Sequence, residues 1–505
     1  MTTAEAMTAE ASFFRRAMIL LTLTFVTMLY AMTITIANVA LPQMQGTFAA
    51  TTDQIAWVIT FNIVATAVAT PLAGWLAARF GRRRLMLFCV ASFAAASVLC
   101  GLATSLEEVV FYRILQGAFG APMVPVAQAI ALDSYPKRQH NTVMSIWGMG
   151  VIIGPIIAPT IGGYLSEAYS WRWVFFMIVP FAVVAFAGVW GFVKARGGTR
   201  ESIRLDWIGL LALSAAIAAF QFMLDRGERN DWFDSPEIIL EASIAVLAFY
   251  VFIAHSLTAR QPFLNLRLFR NRNYSVGLIL VLMFGMLNFT PMVLLPPMLQ
   301  GLQGFPDSII GNLLGFRGLG TFFAFTTMLF VGTKINPKLS MATGFGCQAI
   351  AGYAMSNFDI YVTMADVAWT SCLQGFGVGL VWVPLAVVTF ATLDPRSVGE
   401  GTAVFHLLRN IGSSIHISIS IALVIRTSKI SYADLTVFIS PLNEMLALPG
   451  VRGLWDMNSA PGLSALSGEI QRQATMIGYV NAFQFFWITA LAAMPLLLLL
   501  AKWKR

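Results

Sequence analysis

The chain has 505 residues, of which 58% are hydrophobic and 11% charged, and a formal net charge of +8. A water-soluble domain carries about 25% charged residues because its surface faces water, so composition excludes a soluble globule of this length. The positive excess sits in short loops between apolar runs, where it sets membrane topology rather than binding nucleic acid.

Hydrophobic runs of at least ~18 residues recur from end to end, each long enough to cross a ~30 Å hydrocarbon core. In chain order they predict about fourteen helical spans, near 17–41, 55–77, 85–105, 109–131, 141–165, 172–193, 205–225, 238–257, 275–300, 308–332, 337–356, 361–386, 401–425 and 479–501. Barrel strands would be ~10 residues long with alternating polarity, a pattern these runs do not follow. The first run follows Arg15 and Arg16 and is too long for a signal-peptide core. Cys89, Cys100, Cys347 and Cys372 lie inside apolar runs without a CxxC pair, which argues against a disulfide framework or a metal site.

Orientation follows from the loops. Arg79, Arg82, Arg83 and Arg84 follow the second run, Lys137 and Arg138 the fourth, Lys194, Arg196, Arg200 and Arg204 the sixth. Arg260, Arg267, Arg270 and Arg272 follow the eighth, Lys334 and Lys338 the tenth, and Lys502, Lys504 and Arg505 the last. The intervening loops carry acids, notably Asp225, Glu228, Asp231, Asp234 and Glu237. Positive charge on every second loop predicts a multi-pass protein of the cytoplasmic (inner) membrane with both termini in the cytoplasm. The long segment 427–478 is then a periplasmic loop, either a solvated cap or a docking surface.

Two segments echo one another: Leu115-Gln116-Gly117-Ala118-Phe119-Gly120 and Leu373-Gln374-Gly375-Phe376-Gly377, each followed by a Val-Pro pair. Pairing span four with span twelve makes spans seven and eight an insertion between two six-span halves. The expected organisation is a cytoplasmic segment 1–16, an N-terminal half 17–193, an inserted pair 205–257, a C-terminal half 275–501 and a tail 502–505.

Several motifs now carry a specific resemblance. Gly74-Trp75-Leu76-Ala77-Ala78-Arg79-Phe80-Gly81-Arg82-Arg83-Arg84 resembles the loop motif between spans two and three of the major facilitator superfamily. Arg113-Ile114-Leu115-Gln116-Gly117 resembles its span-four motif. Gly154-Pro155, with Pro159 and Gly162-Gly163, resembles its span-five antiporter motif. Thr35-Ile36-Ala37-Asn38-Val39-Ala40-Leu41-Pro42, Leu224-Asp225-Arg226-Gly227-Glu228 and Arg409-Asn410-Ile411-Gly412 resemble the fourteen-span drug:proton antiporters of EmrB/QacA type. The resemblance covers essentially the whole chain. It implies an all-α integral membrane protein of the major-facilitator fold, not an enzyme, with no cofactor. It further implies proton-coupled export of small amphipathic or hydrophobic molecules, and a periplasmic adaptor protein with an outer-membrane channel as partners beside the lipid bilayer.

Each motif has a physical reading. Gly74 and Gly81 permit a tight turn and close helix approach, and Arg79, Arg82 and Arg83 are suited to bond the last carbonyls of span two, forming a latch. The family's Asp within that motif is Ala78 here. In span five, Gly154, Gly162 and Gly163 allow close packing while Pro155 and Pro159 bend the helix.

Charges at membrane depth are costly unless paired or facing a wet cavity. The candidates are Arg113, Arg317, Asp366, His406, Arg409 and His416. Arg113 lies ~6 Å from the outer end of its span and Thr33 ~24 Å from the inner end of its own, counting ~1.5 Å per residue, so the two share a depth. The family's antiporters carry at the Thr33 position an Asp that pairs with this Arg. Without it, Arg113 is left either to take an anionic group of the substrate or to bond carbonyls near Asn38 or Gln116. Asp366 is a coupling candidate that equally fits a position at the end of span twelve. His406 and His416 titrate in a useful range or bridge helices. Asp225, Glu228 and Asp231 read as acids that cap the outer end of span seven. The substitutions at Thr33 and Ala78 keep a second reading open, an uncoupled or differently coupled carrier of an organic anion. No GxxxxGK[ST] loop occurs, so nucleotide hydrolysis is not expected.

Overall fold

The computed structural model describes residues 3–500 apart from 51, 195–205, 260–261, 333, 395–396, 441–442, 444–447, 449–454 and 458; the side chains of Asn38, Pro159 and Gly163 are among those outside the description. Buried backbone groups cannot find water in a bilayer, so long apolar runs satisfy them internally as helices. The described chain is helical throughout. We label the rods α1 (Thr3–Thr47), α2 (Thr52–Ala69 and Leu72–Phe80), α3 (Arg82–Leu102), α4 (Leu106–Ser134), α5 (His140–Ala168), α6 (Arg172–Phe192), α7 (Trp207–Arg226), α8 (Pro236–Thr258), α9 (Arg272–Gln303), α10 (Asp307–Val331), α11 (Pro337–Met355), α12 (Met364–Phe390), α13 (Val398–Thr436) and α14 (Ala460–Leu496).

Eleven of these are long and apolar enough to cross a membrane, and α2, bent by 56° between its pieces, is a twelfth. The other two rods, α5 and α11, complete the fourteen expected from hydropathy. In α11 the apolar character is diluted by small and polar residues, of which Gly344 and Gly352 press against α12 and α14.

Helix starts are written in the sequence. Ser105, Asp206, Asn271, Thr363 and Ser459 each accept a backbone N–H of the first turn that follows them, which offsets the orphan donors of a helix start. Gly81, at φ 83°, makes the sharp turn between α2 and α3, a conformation that costs glycine little.

The packing repeats with an offset of eight helices. In the first half α1 lies on α5 and α6, α2 on α4, and α3 on α4 and α6. In the second, α9 lies on α13 and α14, α10 on α12, and α11 on α12 and α14. The inserted α7 and α8 pack chiefly on each other, and α7 also touches α2 and α13. Leu240, Leu247, Tyr250 and Leu257 leave α8 largely exposed, as expected of a peripheral helix facing lipid.

The described basic loop residues that bond helix ends gather at one end of the bundle. There Arg15 reaches the Phe192 carbonyl, Arg83 that of Trp190, Arg272 that of Leu499 and Lys338 that of Leu500. We call this the basic end and its opposite the far end. The segment 427–478 departs from its reading as a loop: α13 runs on to Thr436 and α14 begins at Ala460. At about 1.5 Å per residue these rods exceed a ~30 Å core. Hydropathy could not show this, because a helix that has left the apolar layer turns polar. Most of the connector between them lies outside the described residues.

Candidate functional site

Three arginines occupy the middle of the bundle. Arg113 on α4 is 1% exposed. Its Nε donates to the Val58 carbonyl on α2 at 3.1 Å and its Nη1 to Gln116 Oε1 at 2.5 Å. Gln116 Nε2 passes the chain on to Ser97 Oγ on α3 at 2.7 Å, while Asn62 on α2 donates to the Arg113 carbonyl at 2.7 Å. Of the two partners open to Arg113, backbone and Gln116 have it. The Thr33 hydroxyl donates to the Tyr30 carbonyl of its own helix at 2.6 Å.

The second half also pairs an arginine with a glutamine, but here the arginine sits on the other helix of the crossing and the bond runs between helices. Arg317 on α10 donates to Gln374 Oε1 on α12 at 2.8 Å and to both the carbonyl and Oδ1 of Asn288 on α9 at 2.7 Å. Asn62 and Thr66 flank Gly117 as Arg317 and Thr321 flank Gly375, and a Cβ on either glycine would strike the opposing helix. The echo seen in sequence is thus a pair of tight α2–α4 and α10–α12 crossings, each holding one Arg–Gln hydrogen bond.

Arg409 on α13 differs from both. It is half-buried, its Nη2 reaches only the neighbouring Asn410 Oδ1 at 3.1 Å, and its Nε is a buried donor without a partner. Its guanidinium lies over the Trp382 ring of α12 at 5.7 Å. Tyr30 of α1, hydrogen-bonded to Thr66 of α2, feels the charge of Arg409 and of Arg113 together. No carboxylate pairs with Arg113, Arg317 or Arg409 among the described residues.

Among the described residues, the side-chain contacts between the two halves gather toward the basic end. His406 Nε2 on α13 is 2.6 Å from Gln128 Oε1 on α4. Trp147 of α5 stacks on Trp382 at 6.4 Å, Gly148 abuts Phe325, Asn141 donates to the Gly332 carbonyl, and Gly74 abuts Glu400. The latch motif works here, though not as expected: Arg82 pairs with Asp133 and bonds the Ala129 carbonyl, both on α4, and Arg83 covers Trp190 of α6. The arginines therefore leave the carbonyls of α2 and brace neighbouring helices, while Arg79 is exposed.

The remaining candidates are structural or peripheral. Asp366 closes a capping box with Thr363 at the far end and does not enter the interior. His416 meets Thr290 at 2.8 Å and stacks on Phe485 at 4.6 Å, within the second half. Gly154 and Gly162 press α5 onto Met28, Met32 and Ile36 of α1 beside a half-buried Pro155; Asn38, Pro159 and Gly163 fall outside the described side chains. Asp225 and Glu228 do not cap α7. Thr60 of α2 donates to Asp225 at 2.9 Å, and Glu228 takes the Trp232 indole and pairs with Arg426 of α13 at 3.4 Å. Asp231, at φ 54°, shapes the turn after them. These acids tie the inserted pair to both halves.

Two repeated six-helix halves that carry buried arginines and meet toward one end are the architecture of a carrier. Residues 23–416 match the model of the Major Facilitator Superfamily. This chain belongs to that superfamily. The transporter is 32% identical to the multidrug export protein EmrB of Escherichia coli (strain K12) over 93% of its own length and 91% of the relative's. It is 31% identical to the fatty acid resistance protein FarB of Neisseria gonorrhoeae over 89% of its own length and 89% of FarB. Among solved structures, the human organic anion transporter MFSD10 (TETRAN) superposes with a TM-score of 0.59 at 13% identity, covering 94% of this chain and 99% of that one; at that identity it supports the fold. The transporter is a multi-pass membrane protein related to multidrug exporters, not an enzyme. Sequence reasoning missed Gln128, Tyr30, Trp382 and Asp133. A second glutamine in the apolar run of α4, beyond Gln116, was the available signal for the first.

Proposed function

We propose that this transporter exports small amphipathic molecules, anionic ones preferentially, across the cytoplasmic membrane by alternating access driven by the proton gradient. The observation that carries the reading is Arg409, a half-buried guanidinium at the meeting of the halves with a free Nε and no carboxylate partner among the described residues. A desolvated cation of this kind favours a carboxylate, and the Trp382 and Tyr30 rings beside it favour an apolar body. The names of two relatives, a multidrug export protein and a fatty acid resistance protein, accord with such cargo. With the basic end in the cytoplasm, as the positive loops favour, the contacts described above correspond to a state open to the periplasm.

In this reading Asp225 is the acid best suited to carry the proton. It is exposed and hydrogen-bonded to Thr60, which lies two residues along α2 from both Val58 and Asn62, the residues bonded to Arg113. The lengthened α13 and α14 offer a periplasmic adaptor a helical surface to dock on. A second reading, transport without proton coupling, is favoured by Thr33, where the family's acid is absent.

The test is transport in proteoliposomes under an imposed pH gradient, comparing a fatty acid with a lipophilic cation. Gradient-dependent flux of the acid, lost in Asp225→Asn, supports the reading. Equal flux without a gradient favours the second, and flux of cations alone removes the anion preference.

A further inference from the structure

His406 occupies a position that the transport reading above does not use. It is 2% exposed, and it bridges the halves at the basic end rather than lining the midplane. Its tautomer follows from its partner. Gln128 turns its amide nitrogen to Met144 Sδ, at 3.9 Å, and so offers Oε1 to His406, whose Nε2 must be the donor. Nδ1 is buried and has no hydrogen-bond partner. Phe405 and Trp382 surround the ring at 5.6 and 6.0 Å.

The charges around this imidazole are few. On its own helix Arg409 stands one turn away and acts on it directly. The α4 face presents Gln128 and the α12 face Trp382, neither of which titrates. The nearest acids of α4 and α13 are engaged elsewhere: Asp133 with Arg82, and Glu400 with the Asn265 amide. A proton on Nδ1 would therefore be a buried donor with no acceptor, beside a like charge. Both are costly in a dry interface. When the halves part at this end the ring meets water and that cost disappears.

We infer that His406 is a proton-sensitive lock on the basic-end gate, which closes only around the neutral imidazole. The inference rests on the rocking of two halves proposed above. It has a consequence for coupling. Because the ring is sealed while the far end is open, it takes and returns its proton on the basic side. It cannot be the group loaded from the far side. Acidification of the basic side instead holds the gate open and slows the return to the far-open state.

The experiment is a distance measurement on the full chain in lipid, with spin labels at Gln139 and Lys334, which flank the basic end on opposite halves. A proton bound only in the open state at the ordinary histidine pKa of ~6.5 changes the closed-to-open ratio about 30-fold between pH 8 and pH 5. The short distance should therefore dominate at pH 8 and give way on acidification. His406→Gln keeps a neutral donor for Gln128, so its short distance should persist at both pH values. Gln128→Leu should weaken closure already at pH 8. His140→Gln and His255→Gln should titrate like the parent. Titration surviving in His406→Gln, or lost in either of the other two histidine variants, would overturn the assignment. The readout is conformational, so a failure of the anion or coupling reading in flux assays leaves this answer independent.

Discussion

Arg409 and Trp382 form a cation–π pair across α13 and α12, 5.7 Å from guanidinium carbon to ring centroid, with the Arg409 Nε left unbonded. A hydrogen bond to a charged group contributes about 1.5–3 kcal/mol net. Arg409→Gln should therefore weaken the apparent affinity for a fatty acid about tenfold to hundredfold. Arg409→Lys should recover only part, since an ammonium lacks the planar fork. Transport of lipophilic cations should not fall in parallel. Competition kinetics with paired acid and cation substrates read the difference, and an equal loss for both would assign Arg409 to structure.

Arg113 should behave in the opposite way. Its removal leaves the Val58 carbonyl and Gln116 Oε1 buried without their donor, at about 1–3 kcal/mol for each unsatisfied group. Arg113→Ala should lower thermal stability in detergent and reduce transport of every substrate alike. Selective loss of anion transport with unchanged melting would move the anion site from Arg409 to Arg113.

Much of this fold was legible because lipid imposes simple rules. The helical runs and the Gly81 turn follow from local composition and reappear in place. The echo around Gln116 and Gln374 also survived, since close helix crossings demand glycine at a fixed offset from the polar residue. What was not legible depends on partners far apart in the chain. Gln128 and His406 are separated by 278 positions, and nothing local marks either as half of a gate. Asp366 was read as a candidate for coupling, yet its spacing from Thr363 was already that of a capping box.

Gly74 offers a mechanical test of the gate. A Cβ placed there would stand 2.9 Å from Glu400 Cα, a backbone atom that cannot swing aside. Gly74→Val should keep α2 and α13 apart at the basic end, while Gly81, whose added Cβ meets nothing, affects only the turn. Cysteines introduced beside the basic-end contact should become more reactive in Gly74→Val than in the parent. Unchanged reactivity with full transport would show that the approach of Gly74 to Glu400 is incidental to closure.

The inserted pair is anchored at the basic end by Asp206, and that anchor carries its own pH dependence. The side chain is 9% exposed and accepts from the Gly209 and Phe263 amides at 3.0 Å and from His255 Nε2 at 2.8 Å. Burial alone would raise its pKa; the hydrogen bonds from Gly209, Phe263 and His255 outweigh it, and the carboxyl lies below its ordinary value. A group depressed in the folded state binds fewer protons there than in the unfolded chain, so its stabilisation is present above the unfolded pKa and is lost as pH falls through the folded one. At pH 7 melting temperatures should rank Asp206 above Asp206→Asn, and Asp206→Ala lowest, because asparagine still caps α7 and alanine does not. As pH falls below the ordinary aspartate value of ~3.9, the gap between Asp206 and Asp206→Asn should close. The gap to Asp206→Ala should remain. Thermal unfolding of the three proteins across that range reads the prediction, and a gap between Asp206 and Asp206→Asn that widened in acid would mean the carboxylate is held at a cost rather than a gain.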